Sequence, residues 1–67
     1  MFHVVTAHSI YTIVPVSGGF SVQRSADRYG RQVKDTHKHF TPEIFVKIGL
    51  PLTTSELDTT PVLAILA

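Results

Sequence analysis

The glycine pair Gly18-Gly19, set between two runs of β-forming residues, constrains this chain more than any other feature. Paired glycines behind a serine supply the positive φ that a tight hairpin turn needs. On the N-terminal side, Phe2 to Val16 is rich in Val, Ile, Thr and Tyr, side chains that suit a pleated, half-buried surface. On the C-terminal side the chain alternates: Phe20 and Val22 fall on one face, Ser21, Gln23 and Ser25 on the other. A period of two with one apolar face is the pattern of a strand resting on a core. The turn Ser17-Gly18-Gly19 is therefore expected to join two antiparallel strands, with the rest of the sheet built outward from them.

Strands in small domains mostly run to about 5–6 residues, so Phe2 to Val16 has to break. Ala7-His8-Ser9 is the expected break, giving strands over Phe2–Thr6 and Ile10–Val14. Pro15 cannot donate to a ladder and marks a strand end or an edge. A second turn is expected over Ala26 to Gly30, with Asp27 bonding its own backbone and Gly30 in the left-handed position. Arg31 to His39 then returns as a strand that is polar on both faces, with Val33 its one core position. Such a strand belongs at a sheet edge.

Beyond it, Thr41-Pro42-Glu43 is the strongest local signal in the sequence, and it carries helix-start chemistry. Thr is a good N-cap, Pro suits the first helical position, and Glu suits the positive end of the dipole. A helix is expected over Pro42–Ile48, with Gly49 closing it and Pro51 as a stop. Ile44, Phe45 and Ile48 would form its buried stripe. Thr53-Thr54-Ser55-Glu56 and Thr60-Pro61 offer two weaker helix starts. The expectation is a single α+β domain over residues 1–67: an antiparallel sheet of three or four strands over 2–39, then one or two short helices within 42–67.

The chain has 67 residues and no cysteine. A domain of ~60 residues buries only about 60% of its unfolded surface. A core of that size supplies roughly 3–5 kcal/mol, and short chains often add a disulfide, a metal or a partner. Disulfides and thiolate metal sites are excluded here, which leaves a compact idealised core, self-association or a bound partner. The tail Val62, Leu63, Ile65 and Leu66 is apolar on every side, so it either caps the open face of the sheet or forms an interface, and a homodimer joined through it would reconcile the two. The tail is far short of the ~20 residues of a membrane span. The N-terminus has no Lys or Arg ahead of its apolar run, unlike a signal peptide. A cytoplasmic location is expected.

Five of the six Lys and Arg residues lie between Gly18 and Phe40: Arg24, Arg28, Arg31, Lys34 and Lys38. Asp27 and Asp35 offset them in part. The favoured reading is a non-catalytic regulator or inhibitor of another protein, with these cations as a rim and Tyr29 among the partner-binding residues. The alternative is a β-ribbon nucleic-acid binder. A two-stranded ribbon fits the major groove, and Tyr29 or Phe20 could stack on an unpaired base. Five phosphate contacts at ~0.9 each would give a salt slope of at most about −4.5.

The three strands plus a helix, with the Gly-aromatic strand at Gly19-Phe20 and the Asp/Gly turn, resemble the arm-type DNA-binding domains of phage integrases over Gly19 to about Val46. The resemblance implies DNA binding, but the dense basic tract expected before the first strand of that class is missing here. A helix-turn-helix over Glu43 to Asp58 fails on two positions: Phe45 sits where two helices need a small residue, and Ser55 where the second needs an apolar one. Its second helix would also carry Glu56 and Asp58 and no cation, the wrong sign for DNA.

His37 and His39 alternate by two and would share a strand face with Asp35, a weak metal pair with His3 or His8 as a third ligand. As exposed histidines they would instead give the hairpin a pH-sensitive charge. No nucleophile elbow, phosphate loop or HExxH spacing occurs. No catalytic residue and no cofactor are therefore expected.

Overall fold

The structure is a computed structural model, and it describes residues 1–27, 29–33 and 38–67. Seven strands occur among these residues: β1 (Phe2–Val5), β2 (Ser9–Val16), β3 (Gly19–Asp27), β4 (Lys38–Thr41), β5 (Pro51–Thr54), β6 (Leu57–Pro61) and β7 (Ala64–Leu66). Five of them form one antiparallel sheet in the order β4-β3-β2-β1-β7, and β5 and β6 pair as a separate hairpin.

The β2–β3 hairpin forms where the glycine pair predicts it. Val16 pairs with Gly19 across a two-residue loop, and Gly18 takes φ +81°. Gly19 is needed for a different reason, which is space. A Cβ there would lie 2.7 Å from the Pro42 Cα and against the Thr41 carbonyl. The glycine lets β4 come close to β3. The break near Ala7-His8 is also present: the Thr6 N–H donates to the Ser9 carbonyl and the Thr6 hydroxyl to the same oxygen, closing the β1–β2 turn.

One sheet face is covered. Val4, Tyr11, Ile13 and Val22 from the three central strands meet Leu52 of β5 and Val62 in a single buried cluster, with Phe2, Phe20, Ile44, Val46 and Leu57 packed around it. The β5–β6 hairpin and its flanking segments thus form the second layer. Polar links pin that layer to the sheet. His39 Nε2 lies 2.7 Å from the Thr54 hydroxyl, the Leu63 N–H donates to the Val5 carbonyl at 2.7 Å, and the Ala7 N–H to the Thr60 hydroxyl at 3.3 Å.

The α+β expectation is overturned: the described residues contain no helix. Over Pro42–Ile48 the chain is extended and irregular, and a period of two replaces the period of 3.6. Ile44 and Val46 are half-buried against the core, while Phe45, Lys47 and Ile48 are exposed. Three β-branched residues in this stretch lose rotamer freedom in a helix, and so short a helix has little to offset its nucleation cost. The Thr41 hydroxyl donates to the Glu43 carbonyl at 2.7 Å rather than accepting from a first-turn N–H.

The two weaker helix starts are overturned as well, and with them the helical part expected over 42–67. Thr53-Thr54 ends β5, Ser55-Glu56 is the turn, and Thr60-Pro61 ends β6. Thr-rich segments of this kind favour the pleated surface over the helix. No helix among the described residues is long and apolar enough to cross a membrane.

Candidate functional site

The segment with the most recognition chemistry is the end of β3 and the turn that follows it. Asp27 organises that turn. Its Oδ1 accepts from the Tyr29 N–H at 2.9 Å and from the Arg31 N–H at 3.0 Å. Its backbone carbonyl accepts from the Gly30 N–H at 3.0 Å, and its own N–H donates to the Arg31 carbonyl at 2.9 Å. Gly30 takes φ +78°, which a side chain would resist. The hydrogen bond from the Arg31 N–H is the main cause that holds the Asp27 carboxyl below its ordinary range. Partial desolvation opposes that effect; the Tyr29 N–H and the charges of Arg31 and Arg24 add to it.

This frame holds two side chains outward. Tyr29 is 64% exposed, and the Arg31 guanidinium carbon lies 5.1 Å from its ring centroid. Arg31 Nε also sits 3.8 Å from Asp27 Oδ2. An arginine over a tyrosine face is attracted by the ring quadrupole, so cation and ring are presented together rather than as two independent rotors.

Of the other basic residues that the structure describes near this turn, Arg24 lies within β3 and Lys38 at the start of β4. Arg24 pairs with Tyr11 across the ladder, and its Nε donates to the Ser9 hydroxyl at 2.7 Å, so this cation is half-buried and engaged within the sheet. A register shift between Ile10 and Tyr11 places it there. Beside the shift, on the uncovered face, the Ser25 hydroxyl donates to the Ile10 carbonyl at 3.1 Å. The Thr12 hydroxyl donates to Ser25 at 3.0 Å, and His3 Nδ1 lies 3.1 Å from Thr12. Lys38 is exposed at the start of β4, opposite Gln23. Arg28, Lys34, Asp35 and His37 lie outside the described residues.

Sequence reasoning missed Phe40. It sits opposite Ser21 on the uncovered face and is 52% exposed. A Cβ built on Gly19 would fall 3.0 Å from its ring tip, so the ring reaches across the glycine. This is an aromatic covering a strand glycine from the neighbouring strand. The alternation Lys38-His39-Phe40-Thr41 hid it, because Phe40 shares its face with the charged Lys38. His39, by contrast, faces the core side and is buried, with Nε2 on Thr54. Among the described residues no three His, Asp or Glu side chains gather as a metal site.

The tail divides. Val62 is part of the core. Leu63, Ile65 and Leu66 are exposed, and β7 is an edge of the five-stranded sheet. Three strands separate it from β4, and four interstrand steps of about 4.8 Å put the two edges roughly 19 Å apart. The hairpin and the apolar tail are therefore two surfaces at opposite edges of the sheet.

No known protein family, curated protein or solved structure matches this chain.

Proposed function

We propose that this chain is a small non-catalytic binding protein, a regulator or inhibitor that docks onto another protein through the β3–β4 side of its sheet. One observation carries the reading: the Asp27–Arg31 turn is cross-braced by four hydrogen bonds to or from Asp27 and presents Tyr29 with Arg31 over its ring. Tyrosine and arginine are enriched among the residues that dominate interface energies. Groups already braced by hydrogen bonds before binding lose less freedom on binding. Tyr29 is the anchor, Arg31 and Lys38 supply cations, and the exposed Phe40 lies on β4, further along β3 from the turn. The fitting partner offers an apolar pocket edged with carboxylates. A cytoplasmic location belongs to this reading and agrees with a chain that lacks cysteine.

The nucleic-acid alternative draws less support, because among the described cations Arg24 is engaged by Ser9 and Arg31 by Asp27 and Tyr29.

The test is a photo-crosslinking amino acid placed at Tyr29 in the cells of origin. We expect one protein adduct that is lost on Arg31→Glu. No adduct, or an adduct indifferent to Arg31→Glu, would remove the turn from the interface. Binding of duplex DNA at ~50 mM salt, where phosphate contacts are strong, would favour the alternative.

A further inference from the structure

We infer that the free edge of β7 is a self-association site, and that its occupant is a second copy of this chain, added antiparallel about a two-fold axis to join two five-stranded sheets. Strand β7 pairs with β1 alone among the described strands, in the register His3–Leu66, Val4–Ile65 and Val5–Ala64. Its other edge leaves backbone donors and acceptors with no strand opposite, which is a template for pairing with another chain.

Three observations select a second copy as the occupant. The first is charge. From Thr59 to Ala67 there is no ionisable side chain, so this edge neither repels its own copy nor offers a charge by which a different partner would be chosen. A net charge of +1 adds little repulsion between whole chains. The second is symmetry. Two identical strands laid antiparallel on a two-fold axis present the same row to each other, and such a contact closes as a dimer rather than propagating. Uncharged, short β7 meets that condition with itself whichever residue lies on the axis.

The third is the flanking surface. A stable interface buries about 800 Å² per partner, which three residues of strand pairing do not reach. The neighbouring backbone brings more apolar surface to the same side. Ile48 bridges to Val62, the Gly49 N–H donates to the Val62 carbonyl, and the Val62 N–H to the Leu50 carbonyl. Ile48, Leu50 and Leu63 are all exposed there. With Ile65 at 41% and Leu66 at 51% exposure, they extend the β7 edge into an apolar seam. These residues are separate from the Tyr29 turn, so this inference stands or falls independently of the docking reading.

Sedimentation equilibrium of the full chain tests it, alongside Ile65→Lys, Leu66→Lys and, as a control, Val16→Lys. The native chain and Val16→Lys are expected at twice the chain mass, and both β7 variants at the chain mass. Ile65 and Leu66 are exposed, so a lysine at either leaves the core intact, and the two variants check each other. A native chain that stays monomeric as its concentration is raised overturns the inference. So does a dimer that both β7 variants keep, or a native species that grows beyond two chains.

Discussion

The two edges of the five-stranded sheet are protected in different ways, and the contrast carries the account. At β4 the edge is short, begins with Lys38, is followed at once by Pro42, and sends the Phe40 ring back across Gly19. Charge and proline are among the usual means by which an edge avoids unwanted pairing. At β7 only the shortness remains. Its residues are Ala64, Ile65 and Leu66, with no ionisable side chain and no proline. An edge guarded on one side and bare on the other is what a chain needs if it pairs with itself at one end of the sheet and meets a different partner at the other.

The largest break in this comparison should come from Gly19. Gly19→Ala would push a methyl into the backbone of Thr41 and Pro42, which cannot swing aside as a flexible side chain can. Overpacking of this kind costs about 1–3 kcal/mol. Chemical denaturation should show that loss, and the mass at equilibrium of the still-folded fraction should be unchanged, because β7 is at the far edge. An unaltered denaturation midpoint would mean that β4 is not held against β3 as described.

A smaller effect comes from Asp27. Its folded pKa lies below its unfolded one, so its contribution to the turn is fully present above the ordinary carboxylate range. That contribution is lost as the pH falls through the lowered folded value. Titration of Asp27 by NMR should give a midpoint below the ordinary value of 3.8, with the Tyr29 and Arg31 amide signals moving in step. A midpoint at or above that value would mean that the carboxylate is not braced by those two N–H groups, and the argument for a preorganised tip would fail.

Much of the sheet was legible because its signals are local and covalent in origin. Gly18 needs its positive φ, Asp27 and Gly30 fit one kind of turn, and Phe20 and Val22 alternate with polar neighbours. The error over Pro42–Ile48 has an equally physical cause. Thr-Pro-Glu reads as a helix start whatever follows it, whereas the alternation of Ile44, Val46 and Ile48 favours extended chain. Tertiary contact with the β1–β3 core decided between them, and a sequence does not display that contact. The same holds for Val62, which looked like the rest of the apolar tail and is in fact core. The Asp27–Arg31 turn was half visible: Tyr29 and Arg31 stood out by type, but their stacking depends on a turn whose bonds converge on Asp27. Phe40 was missed because it shares its strand face with the charged Lys38. Arg24 counted as rim charge until the register shift beside Tyr11 turned it to Ser9.

Amide hydrogen exchange, followed as the protein concentration is raised, tests the contrast between the two edges most directly. The account predicts that amides over 63–67 gain protection with concentration while those over 38–41 do not change. Equal behaviour at both edges, or protection that rises at β4 and not at β7, would contradict it.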